Sequence, residues 1–418
     1  MRVYARRGAR VRMRSECAPA TSIAYRKITR SYLLWFLFVA HARAMKKALL
    51  ICCASLAFAG QADWQKRMLE ANRLDRDGRY SEAQDLYVAS LDEAEKSGAT
   101  GRWLAESLNN LAAHYFLCGN YTQAEPLYSR ALDAWKAGGP GFERDLAYTM
   151  NNLAALYRAL GRYGEAEPLY AAAMPLLEPD TGGIWNNLAE LYRSEGKYEK
   201  AEPAARTALD IAVLTDGPES ASAASALHTL ASVCQDLKRY DEAWTLLERS
   251  RQIREKVFGN DHRLMAATLG NMARILSAQQ RFSEAEPLAR RALAIREKTL
   301  GPEHPDVAVS LNNLAQIERL QGRYIQAEPL YRRALAIWEK QLGPEHPDVA
   351  KGLCNLADFY HERGRESGAE TLYLRALAIL QKSLGPRHPE VERVGQSLAE
   401  VYRAQGRYKK AEHVNALR

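Results

Sequence analysis

One pattern of residues recurs nine times along the chain and limits its fold more than any other feature. Two positions of the pattern hold alanine in every copy. The first column comprises Ala71, Ala112, Ala154, Ala189, Ala231, Ala273, Ala315, Ala357 and Ala399. The second column comprises Ala83, Ala124, Ala166, Ala201, Ala243, Ala285, Ala327, Ala369 and Ala411. Because similar units add along one axis, this pattern predicts one extended array instead of two or three separate globular domains.

An aromatic residue in eight of the nine copies gives the repeat length. The positions are Tyr80, Tyr121, Tyr163, Tyr198, Tyr240, Phe282, Tyr324 and Tyr408, with Glu366 in the remaining copy. Their spacing is 41 or 42 residues, except for one interval of 35 between Tyr163 and Tyr198. That interval carries Pro175 and a Pro-Asp-Thr-Gly-Gly segment at 179–183. We therefore expect shorter helices or a change of curvature near 175–183.

Each copy has the periodicity of two helices joined by a glycine turn. In the copy at 308–337, Leu311, Leu314 and Ala315 lie at positions i, i+3 and i+4, which form one face of a helix. Gly322 follows this stripe, and glycine commonly ends helices because it adopts the left-handed conformation without strain. The chain is therefore predicted to be all-α.

A single unit of this size exposes an apolar face that it cannot cover by itself. Neighbouring units must cover each other, so about nine helix-turn-helix units should form one superhelical solenoid. The first helix of each unit should then line the concave surface of the array. The last unit, 392–418, is cut short within its second helix, and we expect that end to fray or to self-associate.

The small residues at two close-packing points, followed by a glycine and an aromatic at the turn, resemble the tetratricopeptide repeat. The motifs Leu-Asn-Asn-Leu-Ala and Gly-Pro-Glu-His-Pro-Asp-Val are similar to the 42-residue kinesin light chain type. The resemblance covers about residues 64–418 and implies a right-handed superhelix whose groove binds a peptide. Kinesin light chains also carry a long heptad segment that pairs with the motor chain. The sequence before the repeats offers no such segment, so a motor function is not implied.

The basic charge of the chain is confined to its N-terminal part. The formal net charge is +8, but 12 of the 58 basic residues and only one of the 50 acidic residues precede Asp63. From Asp63 onward the net charge is about −3, from 46 basic and 49 acidic residues. The repeats thus lack the basic excess that is typical of nucleic-acid binding, and we expect no nucleic-acid partner.

Residues 45–62 have the pattern of a secretory signal peptide. Two lysines after Met45 precede an apolar stretch at 48–59, and small residues then permit cleavage before Gly60 or Asp63. The apolar stretch is shorter than the roughly 20 residues that a membrane-spanning helix needs, so we expect no stable membrane span in the mature protein.

This pattern divides the chain into three parts. Met45 becomes the predicted start, and residues 1–44 become a non-native or disordered leader. Residues 63–418 form the solenoid of a periplasmic or secreted protein. If the signal is not used, the same protein is cytoplasmic.

The repeat explains the near matches to catalytic and metal-binding motifs. The segment 361–365 begins like the zinc-protease motif HExxH, but its fifth position is Arg365, and Gly364 is the glycine that ends the helix. One histidine recurs in each of four linkers, and adjacent copies should lie about 10 Å apart, too far for one ion to bridge. These histidines are His262, His304, His346 and His388, and we expect each to be a polar residue at the start of the next helix. We expect no enzyme activity, no cofactor and no metal site, and three free thiols at Cys118, Cys234 and Cys354.

The candidate binding residues lie on the face of each unit's first helix that does not pack against other helices. One column holds Asn110, Asn152, Asn187, Asn271, Asn313 and Asn355. A primary amide both donates and accepts, so such a column could bond successive peptide groups of an extended ligand. Alternatively, these side chains bond to neighbouring helices and specify the stacking of repeats.

Basic side chains lie beside the asparagine column. They are Arg158, Arg193, Arg274 and Arg319, and acidic residues interrupt them. An acidic peptide could be steered to them, although solvated arginines without a role would give the same pattern. The sequence thus favours a non-enzymatic scaffold that binds a peptide segment of a partner in its concave groove. The alternatives are a cytoplasmic adapter of the same fold and an accessory subunit that positions a catalytic partner.

Overall fold

The computed structural model describes residues 63–416 except 76, 78, 99–100 and 387. The predicted leader at 1–44 and the signal peptide at 45–62 lie outside these described residues, and their predictions stay open. Within the described ranges helix follows helix and there is no strand. Residues from 67 onward form one unit of consecutively packed helices, which confirms the all-α solenoid.

The described residues form eighteen helices, arranged as nine consecutive pairs. The first helices of the pairs are α1 (63–75), α3 (Arg102–Leu117), α5 (Glu143–Ala159), α7 (Gly182–Ser194), α9 (Ala221–Asp236), α11 (Arg263–Ala278), α13 (Pro305–Leu320), α15 (Pro347–Glu362) and α17 (Pro389–Ala404). The second helices are α2 (Tyr80–Lys96), α4 (Tyr121–Ala137), α6 (Tyr163–Leu177), α8 (Tyr198–Thr215), α10 (Tyr240–Phe258), α12 (Phe282–Leu300), α14 (Tyr324–Leu342), α16 (Glu366–Leu384) and α18 (Tyr408–Ala416).

The helices next to the 35-residue interval are shorter than their counterparts. Helix α7 has 13 residues, whereas α5 has 17 and α9 has 16. Helix α6 has 15 residues and ends at Leu177, two residues before Pro179. The missing linker therefore removes helical turns from α6 and α7 while the helix pairs continue on either side.

Both alanine columns lie inside the array. Each alanine of the first column has no exposed surface, and those of the second are at most 2% exposed. Side chains of the same unit and of the next unit surround them, as Ala315 and Ala327 show by packing with Tyr331 of their own unit and Phe359 of α15. The small residue lets two helices approach closely, and larger apolar side chains fill the space on either side.

The contacts between a second helix and the first helix of the next unit differ from unit to unit. Where the residue on one helix changes, the residue that it contacts on the other helix changes too. Arg296 of α12 is buried, and one of its terminal nitrogens donates to the Ser310 hydroxyl at 2.8 Å. The equivalent residue of α14 is Trp338, and it packs where Gly352 has no side chain. A β-carbon at position 352 would lie 2.9 Å from the Trp338 ring. The repeat thus tolerates a large change in one helix because its neighbour changes with it.

The linker histidines cap the helices that they precede. The Nδ1 atom of His304 accepts a hydrogen bond from the backbone N–H of Asp306 at 3.0 Å, and Pro305 occupies the first helical position. The same arrangement occurs at His346 and His388. This role at the start of a helix confirms the prediction for these histidines.

The same histidines also join distant parts of the array, which the sequence did not predict. Because Nδ1 accepts, Nε2 carries the proton, and His304 donates it to the Leu117 carbonyl at 2.9 Å. His388 donates likewise to the Glu195 carbonyl at 2.9 Å, and His346 to that of Ala159. These bonds join the start of α13 to the end of α3, α15 to α5 and α17 to α7. One superhelical turn therefore spans five units, and its successive turns are in contact.

Glycines make this contact between turns possible. Gly119 and Gly161 follow α3 and α5 and adopt φ angles of +78° and +72°. A β-carbon at Gly161 would lie 2.6 Å from the Pro347 Cγ, and one at Gly119 would lie 2.8 Å from the Pro305 Cδ. We call these paired contacts, from His304, His346, His388 and the prolines that follow them, the superhelical seam.

Among the described residues no helix is both long and apolar enough to cross a membrane. Cys118, Cys234 and Cys354 are free thiols, as predicted. Burial raises the pKa of the Cys354 thiol to about 12, so it is a packed apolar group and not a reactive thiolate.

The variant Gly161→Ala tests the seam against a matched glycine outside it. Gly161 and Gly322 have similar φ angles of +72° and +74°, so alanine strains the backbone equally at both. Only at Gly161 does the added carbon also meet a proline of another superhelical turn. We expect Gly161→Ala to lower the free energy of unfolding by about 1–3 kcal/mol more than Gly322→Ala in urea denaturation. Equal losses would show that the seam contributes nothing to stability.

Candidate functional site

The odd-numbered helices line the inner face of the solenoid. From α3 to α17 each odd-numbered helix contacts the next odd-numbered helix, in addition to its even-numbered neighbours. All six asparagines and all four arginines predicted as binding residues lie on these helices and are half-buried. The structure therefore brings the predicted residues onto one continuous surface, which we call the inner face.

Four of the six asparagines bond to the neighbouring unit, in a repeated geometry. Several units carry two consecutive asparagines, and the second of the two belongs to the asparagine column. Each of the four side-chain nitrogens contacts the residue at the first of these two positions in the preceding unit. Asn152 donates to Asn109 at 3.3 Å, Asn187 to Asn151 at 2.9 Å and Asn355 to Asn312 at 2.9 Å. Asn271 makes the equivalent contact with His228 at 3.3 Å and also donates to Ser232. These contacts form an amide ladder between units.

The remaining two asparagines differ from this pattern. Asn110 accepts from the adjacent Asn109 at 3.2 Å. Asn313 makes no side-chain hydrogen bond to any described residue, because Gly270 stands where five other units carry an asparagine or histidine. The ladder is also interrupted two units earlier. There Thr229 replaces the donor, and the buried Oδ1 atom of Asn186 has no partner among the described residues.

Three of the four arginines are already engaged by acidic side chains. Arg193 contacts Asp236 at 2.9 Å and Glu190 at 3.1 Å. Arg274 lies 3.6 Å from the other oxygen of Asp236, and Arg319 pairs with Glu362. The fourth, Arg158, lies close enough to Glu190 to lower its pKa. The inner face thus carries paired charges and is not a uniformly basic stripe.

Burial and charge compete at these pairs. Burial alone would raise the pKa of Glu190, but the Arg193 and Arg158 guanidinium groups outweigh it and lower that pKa to about 2. Lys351 of α15 has an exposed side chain, yet the surrounding protein lowers its pKa, with Asp348 opposing this and Arg274 and Arg193 adding to it. Charges on α7 and α11 therefore act on a side chain of α15 across the inner face.

A cavity of about 240 Å³ opens beside the interrupted ladder. Its polar lining consists of Gln235, Tyr240, Arg274, Ser277, Asn313 and Gln316. Gln235 is only 6% exposed, and its Oε1 atom has no hydrogen-bond partner among the described residues. Sequence reasoning missed Gln235. The sequence feature that could have pointed to it is Gly270, which is the only glycine among the residues that directly precede the asparagine column.

Two further clefts lie elsewhere in the described part of the chain. One of about 470 Å³ opens at the short start of α7, lined by Gly182, Asn186 and Ser222 among others. The other, about 740 Å³, lies where α11 approaches the end of α1, between Asp75 and His262. There Arg263 takes the place of the seam proline, and the histidine stacks on Phe258 instead of bridging the turns.

The HExxH-like segment serves the repeat structure. His361 lies 2.7 Å from Glu366 of the following helix, and Glu362 is paired with Arg319. Within the described ranges no group of three or more histidine, cysteine or acidic residues could hold a metal ion.

The fold defines a class of protein, a solenoid built from helical hairpins. The family model of the tetratricopeptide repeat matches residues 74–137, 103–178, 180–243, 222–298, 264–336, 306–382 and 348–415. These matches cover more than half of the chain, so the protein belongs to the tetratricopeptide repeat family. Arrays of this family are typically non-catalytic scaffolds for protein–protein interaction.

Solved structures with similar folds include two kinds of protein. A Rap protein complexed with Competence and Sporulation Factor is 16% identical with a TM-score of 0.60, covering 85% of this chain and 96% of that chain. A putative kinesin light chain of Podospora anserina is 29% identical (TM-score 0.37; 50% and 99% covered). BtubC (BKLC) from P. vanneervenii is 23% identical (TM-score 0.40; 54% and 91% covered). No curated protein matches the chain. The family matches confirm the predicted tetratricopeptide repeat.

The variants Asn355→Ala and Asn313→Ala separate the ladder from the rest of the asparagine column. Asn355→Ala removes the donor to Asn312, which is 4% exposed and would keep an unpaired acceptor. We expect this variant to lose about 1–3 kcal/mol of unfolding free energy in urea denaturation. Asn313→Ala breaks no such bond and should change the free energy of unfolding by about 0.5 kcal/mol or less. Equal losses in the two variants would contradict the ladder.

Proposed function

We propose that this protein is a non-enzymatic scaffold that holds a peptide segment of another protein against its inner face. The observation that carries the proposal is the interrupted amide ladder. Where a cavity opens in this face, the buried Oε1 atom of Gln235 has no partner among the described residues, and the half-buried Asn313 side chain makes no hydrogen bond to them. A buried acceptor such as that of Gln235 is costly unless a ligand satisfies it.

The fold of a solved neighbour supports the proposal. The Rap protein, which shares the solenoid over 85% of this chain, is complexed with Competence and Sporulation Factor. Because successive odd-numbered helices contact one another, an extended segment on the inner face would be contacted from several units at once.

The paired arginines bear on the charge of the ligand. An acidic ligand would have to compete with Asp236, Glu190 and Glu362 for the guanidinium groups. We therefore propose that the bound segment is neutral or of mixed charge, in preference to the acidic segment that the four arginines suggested. Binding that weakens steeply with added salt, and loses that dependence in Arg274→Gln, would favour the acidic ligand instead.

Site-specific photo-crosslinking tests the scaffold function. A photoreactive amino acid at Gln316 would sit on the inner face, and one at Ile325 would sit on an outer helix, where that side chain is 89% exposed. We expect the probe at Gln316 to crosslink one extended segment of a partner protein, mapped by mass spectrometry, and the probe at Ile325 to give no such product. Crosslinking at Ile325 alone, or at neither position, would contradict binding on the inner face.

We also propose that the protein is exported, on the basis of the sequence pattern at 45–62. N-terminal sequencing of the abundant soluble protein should then give a chain that begins at Gly60 or Asp63. An intact N-terminus from residues 1–44 would contradict export and would favour the cytoplasmic adapter.

A further inference from the structure

We infer that the cavity beside the interrupted ladder is a specificity pocket for a side-chain amide, Gln or Asn, of the bound segment. This inference rests on the proposed function, since it assigns one contact of the peptide that the inner face would hold. We call the cavity between Gln235 of α9, Arg274 of α11 and Asn313 of α13 the amide pocket.

The size of the amide pocket suits one side chain. Its volume of about 240 Å³ lies below the roughly 300–1,000 Å³ of sites that enclose a whole small molecule. Its lining comes from three consecutive odd-numbered helices and from Tyr240 at the start of α10, and we place its opening on the inner face. A residue of an extended peptide on that face could place its side chain in the pocket while its backbone continues past it.

The pocket offers one acceptor and one donor that the protein does not use. The Oε1 atom of Gln235 is an acceptor without a partner, and its residue is only 6% exposed. The Nδ2 atom of Asn313 is a donor without a partner, because Gly270 cannot accept from it as Asn312 accepts from Asn355. A ligand that donates once and accepts once would satisfy both. A primary amide has both groups in a single planar unit.

Charge makes the amide preferable to an acid or a base. A carboxylate would be repelled by the Gln235 acceptor, to which it has no hydrogen to donate, and it would have to compete for Arg274 with Asp236, which lies 3.6 Å from that guanidinium. An ammonium group would meet the Arg274 guanidinium. A neutral amide avoids both repulsions, and the pairing of Arg274 with Asp236 can remain intact.

The glycine at 270 provides a variant that occupies the free donor of the pocket without damaging the fold. A β-carbon at Gly270 would meet no atom nearer than Asn313 Nδ2, at 4.0 Å. Gly270→Asn introduces the side chain that four other units carry at this position and gives Asn313 a partner. Since glycine inside a helix is unfavourable, this variant should unfold at the same temperature as the wild type or higher. Gly270→Ala is the matched control, because it removes the glycine but leaves the donor free.

The experiment uses the mature chain and a positional-scanning library of end-blocked peptides, followed by fluorescence anisotropy. We expect one position to favour Gln or Asn over Glu, Asp, Lys and Ala by about tenfold, as the loss of one to two hydrogen bonds predicts. Gly270→Asn and Gln235→Met should each reduce that preference by about two- to tenfold, while Gly270→Ala keeps it. Melting temperatures measured alongside show whether each variant is folded.

The outcomes separate the two levels of the proposal. If peptides bind but no position favours an amide, or if Gly270→Asn keeps the preference, the amide pocket is wrong and the scaffold function stands. If no peptide of the library binds the folded wild type, peptide binding by the inner face is overturned, and the pocket with it. A preference for Glu or Asp at the position lost in Gly270→Asn would assign the cavity to an acidic side chain and overturn the inference.

Discussion

The close approach of two helices at the alanine columns is the contact on which the rest of the structure depends. At Ala315 and Ala327 the side chains are a single methyl group with no exposed surface, so the helix backbones determine the distance. Any larger side chain there would separate the two helices and disturb the packing around them. Because every unit keeps these two positions, each pair has nearly the same geometry. Residues at equal positions of successive units therefore meet at a nearly constant offset, which is the condition for the amide ladder.

The superhelical seam is a consequence of this regularity over longer distances. Small rotations between units add up until the seventh unit along the chain contacts the second, and each of the three seam histidines meets the end of a helix five units earlier. Each of these side chains caps the helix that follows it and also bonds to a distant helix. Charges act across the inner face in the same way, since Arg193 of the fourth unit affects the pKa of Lys351 of the eighth.

The candidate site lies where this regularity fails. An intact ladder uses its amides to hold units together, so a side chain such as Asn355 is not available to a ligand. At Gly270 the regular pattern is interrupted, and the neighbouring polar groups remain without partners. The interruption is local, since the alanine columns continue through the same units. Stability and binding can thus reside in different residues of one surface, and a repeat protein can alter its ligand without altering its fold.

The sequence alone determined the helices, their pairing and the identity of the family, because these depend on spacing within and between adjacent repeats. Gly322, the alanine columns and the helix-capping role of His304 could all be predicted from their local positions. The asparagine column was found, but whether its members bond to each other or to a ligand could not be decided. That choice depends on the distance between neighbouring units, which the structure supplies. The seam contacts, the pairing of Arg274 with Asp236 and the unpaired Gln235 were likewise decided only by tertiary structure. They depend on the pitch of the superhelix, a sum of small rotations that no single repeat encodes.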